Sequence, residues 1–187
     1  MIKVVFDACV LYSAPLRGFL LSLATAKLVE PFWSDEIQNE WTRSVSRNRP
    51  VLERHTLEST CQKMDAHFPN ALVQGYESLI PTLVLPDPND RHVLAAAIHV
   101  EADSIVTFNL SDFPKKALQP YGIEALPPEE FVLRLIQQRP ERVIKVARDH
   151  RSSLKNPPKT ADEYLATLEK QGLPKTVAFL REHNDNI

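Results

Sequence analysis

The sequence predicts an α/β protein, a three-layer α/β/α sandwich around a central parallel sheet, with a C-terminal all-helical extension. Three observations carry this. Ile2 to Phe6 is an unbroken β-branched and aromatic run, the pattern of a strand buried on both faces beneath helices. Comparable short apolar runs at residues 28–32 and 104–108 alternate with segments of helical spacing, as right-handed crossovers between parallel strands require. After Pro127-Pro128 the strand pattern stops and helical patterns alone continue. The expected division is therefore a sandwich over residues 1–126 and a helical extension over residues 127–187.

The first strand ends at Asp7, and Leu16 to Ala26 has helical spacing. Leu28 to Phe32 is the second strand, after which Ser34 reads as the N-cap of a helix carrying Ile37, Glu40 and Trp41. From Pro50 to Ser78 the pattern is one or two amphipathic helices. Asp87 is placed to cap the next helix, with Pro88 at its first position and Val93, Leu94, Ala97 and Ile98 on its buried face. Ser104 to Phe108 is a third buried strand. The extension reads as helices at 129–138, 140–154, 160–171 and 174–183. The third of these opens on a capping box, Thr160-Ala161-Asp162-Glu163, and stops at Gly172.

A chain of 187 residues, 43% hydrophobic and 25% charged, has the composition of an ordinary globular protein with one sizeable core and room for a subdomain. Its most apolar windows are too short and too interrupted for a bilayer span. Asp7 breaks the opening apolar run, so no signal-peptide core forms, and a cytoplasmic location with no membrane partner is expected. Cys9 and Cys61 are too few for a disulfide scaffold and lack zinc-site spacing. The net charge of −2 excludes a whole-molecule basic footprint for nucleic acid, so such a surface has to be local. Acid is concentrated in residues 1–126, with 15 Asp+Glu against 11 Lys+Arg, and base in residues 127–187, with 11 Lys+Arg against 9 Asp+Glu.

In an open parallel sheet, ligands bind beyond the carboxyl ends of the strands where strand order reverses. Asp7 and the Asn109 to Asp112 loop each follow a predicted strand directly. Glu40 lies two turns into the helix after the second strand, and Asp90 sits in the first turn of the helix opened by Asp87. Four acidic segments spread over a hundred residues can thus meet at one edge. Carboxylates held so close repel one another unless a hard cation compensates, and oxygen donors suit such a cation. The chain offers no dedicated nucleophile with a matching base, which favours attack by water activated at a metal.

Four segments, Val4-Val5-Phe6-Asp7, Ser34-Asp35-Glu36-Ile37-Gln38-Asn39-Glu40, Asp90-Arg91-His92-Val93-Leu94-Ala95-Ala96-Ala97 and Val106-Thr107-Phe108-Asn109-Leu110-Ser111-Asp112-Phe113, resemble the PIN-domain family. The likeness is nearest to the toxins of VapBC-type toxin–antitoxin pairs and covers residues 1–126. It implies a metal-dependent endoribonuclease in which Asp7, Glu40 and Asp90 hold Mg²⁺ or Mn²⁺ and the last loop adds a fourth acid. At that loop the sequence departs from the common pattern, with Asn109 where many relatives carry Asp; Asp112 is the preferred substitute. The resemblance further implies a structured RNA substrate such as tRNA and a cognate antitoxin protein, and is compatible with a homodimer.

Plainer roles stand beside these. Asp87 and Ser34 are explained as helix caps, and Asp90 by the helix dipole. Glu36, one turn before Glu40 on the same face, competes with it. Thr107 can orient a carboxylate or simply end a strand, His92 and His99 read as ordinary helix residues, and Cys9 as core packing. Arg43, Arg47 and Arg49 follow Glu40 and are the favoured RNA contacts, with Arg43 and Arg47 on one helix face. The stretch from Arg139 to Lys159, with seven basic residues against two acidic, is the lesser candidate. Two other functions remain open. A haloacid-dehalogenase-like phosphatase also begins with a strand ending in Asp, but wants a second Asp where this chain has Cys9. A catalytically degenerate RNA-binding PIN module is the other, for which Asn109 speaks.

Overall fold

The structure is a computed structural model describing residues 1–51, 54–183 and 187. Its centre is a five-stranded parallel sheet, β1 (Ile2–Phe6), β2 (Val29–Ser34), β3 (Leu72–Val73), β4 (Ser104–Val106) and β5 (Glu124–Leu126), in the order β3-β2-β1-β4-β5. Helices flank it in the α/β/α manner the sequence predicts: α1 (Ala8–Leu11), α3 (Asp35–Asn48), α4 (Arg54–His67), α5 (Arg91–His99) and α6 (Lys115–Leu118), while α2 (Ala14–Thr25) falls between α1 and β2 in the chain. The chain leaves β1 towards β2 and β3 and returns on the other side of β1 with β4. The strand order therefore reverses between β1 and β4, and the register Phe6↔Val106 brings the carboxyl ends of these two strands level.

The buried strand reading of the opening run holds, since Val4, Val5 and Phe6 are wholly inaccessible. Two strands escaped the sequence. β3 has two residues and lies inside the segment expected to be helical, and β5 has three, the first exposed. The second strand also runs two residues further than expected, up to the cap Ser34. It tolerates Pro31 for a geometric reason. The Trp33 amide donates to Ala71 O at 3.0 Å, and alternation points the Pro31 nitrogen to the same side, where β3 has not yet begun.

By its internal contacts the chain forms two compact units, residues 1–12 with 30–126, and residues 13–29 with 127–187. This differs from a linear division at residue 126 by grouping α2 with the later helices. Those are α7 (Pro128–Gln138), α8 (Pro140–Ser153), α9 (Ala161–Lys170) and α10 (Pro174–Arg181), close to the four expected. α2 packs against α8 and α9 through an apolar face containing Phe19, Leu20 and Leu23. The Glu129 carboxylate accepts from Thr176 Oγ1 at 2.6 Å and from the Thr176 amide at 3.2 Å, placing a negative charge at the amino end of α10. Inside this unit the His150 imidazole meets the Tyr164 hydroxyl at 3.0 Å, and burial pushes its pKa down to about 4, so the ring is neutral at physiological pH.

The capping box is formed in full: the Thr160 hydroxyl accepts from the Glu163 amide at 3.2 Å and the Glu163 carboxylate accepts from the Thr160 amide at 2.9 Å. Thr160→Ala is expected to destabilise the protein by about 1 kcal/mol, whereas Thr160→Ser, which keeps the hydroxyl, leaves it within a few tenths. Denaturant unfolding of both variants checks this; equal midpoints would show that the box contributes nothing.

Candidate active site

Asp7 is the first residue after β1 and is 4% exposed. Its carboxylate caps α1 by accepting from the Ala8 amide at 2.6 Å, and its other oxygen accepts from Thr107 Oγ1 at 2.6 Å and Cys9 Sγ at 3.2 Å. The Thr107 hydroxyl is itself wholly buried and accepts from the Asn109 amide at 3.0 Å, which leaves its proton for Asp7. The Phe108 amide adds a contact to Cys9 Sγ at 3.3 Å. The loop after β4 is thus stitched to the loop after β1, and Thr107 is a positioning group for Asp7.

Ser34 ends β2 and its hydroxyl accepts from the Ile37 amide at 3.2 Å, the expected cap of α3. From there Ile37, Gln38, Trp41 and Val45 form the buried face of the helix, and Gln38 and Trp33 both donate to Asp65 Oδ1 at 2.8 Å. This anchoring turns Glu36 and Glu40, one turn apart, to a shared side of α3. Asp87 accepts from the Asn89 amide at 2.8 Å and caps a short 3-10 turn over Pro88–Asp90 rather than α5 itself. Asp90 consequently sits at the start of α5, not in its first turn as expected, and makes no side-chain cap there.

Asp7, Glu40, Asp90 and Asn109 line one open cleft of about 570 Å³, together with Cys9, Tyr12, Arg43 and Arg47. Asp112 is half-buried and outside that lining, but near enough for its charge to act on Asp90. The Asp90 carboxyl is raised from 3.8 to about 6, first by burial and then by the charges of Asp7, Asp112, Asp87 and Glu40. Oxygen donors crowded until one resists ionisation are the donor set a hard divalent cation fits. Arg49 terminates α3, is exposed, and is not among the cleft residues, so the expected trio of arginines reduces to Arg43 and Arg47 at the cleft.

His92 is where the sequence misled. Expected as an ordinary helix residue, it is 2% exposed and turned towards α3, with Nε2 3.0 Å from Glu40 Oε1 and Nδ1 3.7 Å from Glu36 Oε2. Burial alone would lower its pKa, but the Glu40 hydrogen bond and the charges of Glu40, Glu36 and Asp7 outweigh burial, and the net shift is upward. The available clue was its place two residues after Asp90, on a helix whose every position from His92 to Ala97 proves buried. A polar residue inside so apolar a stretch needs a partner. Cys9, half-buried, borders the cleft, and burial together with the Asp7 charge pushes its thiol up to about 12. A thiol that reluctant to ionise does not replace the acid/base Asp of a dehalogenase-like phosphatase.

Residues 3–111 match the PIN domain family and residues 128–182 match the VapC50 C-terminal domain family. A curated relative, "Putative ribonuclease VapC50" of Mycobacterium tuberculosis, is 38% identical over 111 residues, a stretch that covers 59% of this chain and 64% of that relative's length. No solved structure matches the chain. The first match takes in more than half of the chain, with Asp7, Glu40, Asp90, Thr107 and Asn109 inside it, and the chain accordingly belongs to the PIN-domain family.

Proposed function

We propose that the protein is a Mg²⁺- or Mn²⁺-dependent endoribonuclease, the toxin of a toxin–antitoxin pair, acting in the cytoplasm on structured RNA such as tRNA. The observation that carries this is the cleft that Asp7, Glu40 and Asp90, from three distant parts of the chain, line together with Arg43 and Arg47. Membership of the PIN-domain family and likeness to a protein named as a ribonuclease support it. Among the described residues, no helix is long and apolar enough to cross a membrane. In this proposal residues 1–126 are the nuclease domain and residues 127–187 the extension, which is free to differ in role.

Asp7, Glu40 and Asp90 would hold the cation, with Asp112 as the fourth acid; when bound, it activates water and neutralises charge on the phosphate. The chain's own groups do the rest. Thr107 and the Ala8 amide fix the Asp7 carboxylate in one orientation, and His92 fixes that of Glu40. Arg43 and Arg47, one turn apart on α3, offer guanidinium donors to phosphate oxygens on the cleft wall. A PIN module that binds RNA without cutting it is the alternative that Asn109 favours, since a neutral amide lines the cleft where an acid was expected.

Asp7→Asn and Asp90→Asn are each expected to reduce metal-dependent RNA cleavage by roughly 100-fold or more with circular dichroism unchanged, because each removes a charge that holds the cation. Full activity in either purified variant would end the proposal, and a wild type that binds RNA but fails to bind Mn²⁺ by calorimetry would turn it to the degenerate module. Expression without an antitoxin is expected to arrest growth of a host cell, and Asp7→Asn to abolish the arrest; equal toxicity of the two counts against the toxin role.

A stability measurement probes the crowding itself. The folded Asp90 carboxyl is raised to about 6 from 3.8, so the folded state holds its proton more tightly than the unfolded chain, and stability falls as pH rises through that interval. In EDTA, Asp90→Asn should therefore be more stable than the wild type above pH 6, by about 1 kcal/mol once solvent screening of a half-exposed group is allowed for. The difference should fade towards pH 4. Thermal unfolding across this range checks it, and a variant less stable at every pH would remove the proposed repulsion.

A further inference from the structure

We propose that Glu36, Glu40 and His92 form a second cation site, selective for a nitrogen-seeking transition metal such as Zn²⁺. Their ligand atoms all lie within 4.8 Å of one another, and among the described residues they are the group of His, Cys, Asp and Glu side chains that meets this condition. Glu36 and Glu40 present two carboxylates from successive turns of α3, and His92 brings an imidazole from α5. The two acids are 52% and 36% exposed, so the site opens to solvent on their side while the imidazole behind them is 2% exposed.

The geometry of His92 leaves one buried ring nitrogen for an ion. Its Nε2 is engaged by Glu40 at 3.0 Å, but Nδ1 has no hydrogen-bond partner and is buried. A buried ring nitrogen left without a partner is destabilising. The nearest acid oxygen, Glu36 Oε2, is 3.7 Å away, too far for a hydrogen bond. Ligand atoms bound tetrahedrally to Zn²⁺ at about 2.1 Å stand roughly 3.4 Å apart, so the gap between Nδ1 and Glu36 is close to that of two atoms sharing an ion, and Glu40 completes the set by turning from Nε2, since one imidazole gives an ion one nitrogen. One imidazole with two carboxylates is a donor set for zinc and its transition-metal neighbours, whereas the all-oxygen set of Asp7, Glu40 and Asp90 suits Mg²⁺. Glu40 is common to both, one oxygen facing His92 while the side chain borders the cleft, so occupation of the second site restrains a carboxylate of the first. The proposal stands on its own three residues and takes only this neighbourhood from the nuclease reading.

Calorimetric titration of the full chain with Zn²⁺ in saturating Mg²⁺ tests it, with Co²⁺ absorption as the spectroscopic companion. Wild type and Asp90→Asn should each bind one Zn²⁺ in this way and show the visible Co²⁺ bands of a mixed nitrogen and oxygen site. Glu36→Gln and His92→Gln should each weaken Zn²⁺ binding by roughly tenfold or more and lose those bands. Should His92→Gln fail to fold, Glu36→Gln decides alone, because that side chain is half-exposed and its replacement leaves the core untouched. Zn²⁺ binding by Glu36→Gln equal to the wild type, or binding lost in Asp90→Asn but kept in Glu36→Gln, overturns the site. RNA cleavage in Mg²⁺, measured on the same Glu36→Gln sample, separates the two proposals. Cleavage with unaltered Zn²⁺ binding leaves the nuclease and removes this site, while Glu36-dependent Zn²⁺ binding by a wild type that cuts no RNA does the reverse.

Discussion

The parallel pairing of β1 with β4 is the contact from which the rest of the site is built. With Phe6 level with Val106, the next residue on each strand, Asp7 and Thr107, stand side by side, and a 2.6 Å hydrogen bond joins them. The Asp7 amide also continues the ladder by donating to Val106 O at 3.1 Å. A buried carboxylate is costly unless its oxygens are satisfied, and here the Ala8 amide, the Thr107 hydroxyl and the Cys9 thiol satisfy them. The acid is held in place by backbone register first and by side chains second, so it does not depend on a bound cation for its orientation.

Everything else in the cleft follows from bringing further acids up to this fixed point. Glu40 and Asp90 come from helices whose positions are set by their apolar faces, Trp41 and Val45 on α3 and the buried run His92 to Ala97 on α5. Packing that brings like charges together has to outweigh their repulsion, and the raised Asp90 carboxyl shows where that repulsion collects. The surplus is small on the scale of a buried core, since each fully buried Leu or Phe contributes about 1.5–3 kcal/mol. A site of this kind is therefore strained in charge but not in fold, and it gains most from whatever cation relieves it.

How far the sequence disclosed this depends on length and on chemistry. β1 and the four helices of the extension were legible because each is a sustained pattern with marked ends, such as Asp7, the Thr160 box and Gly172. β3 and β5 were not, since two or three residues cannot display a period of two, and pairing with β2 and β4 supplies what their own sequences lack. That Asp7, Glu40 and Asp90 line one cleft was legible through topology and resemblance together. His92 was missed because its role comes from a crossing of α3 and α5, fifty-two positions apart in sequence, which no local pattern encodes. The grouping of α2 with the C-terminal helices escaped for the same reason.

The departure at Asn109 is best understood through the same register. The Asn109 amide donates to the Thr107 hydroxyl, a backbone contact that any residue at this position provides, and that contact directs the Thr107 proton to Asp7. The side chain is therefore free to change without loosening Asp7. Three residues on, a 3-10 turn over Leu110–Asp112 carries the next acid near enough to raise the Asp90 carboxyl, more strongly than Glu40 does. The negative charge withdrawn from the cleft at Asn109 is thus partly restored from its edge by Asp112. In the proposed nuclease a cation would therefore rest on Asp7, Glu40 and Asp90 more than on the loop after β4.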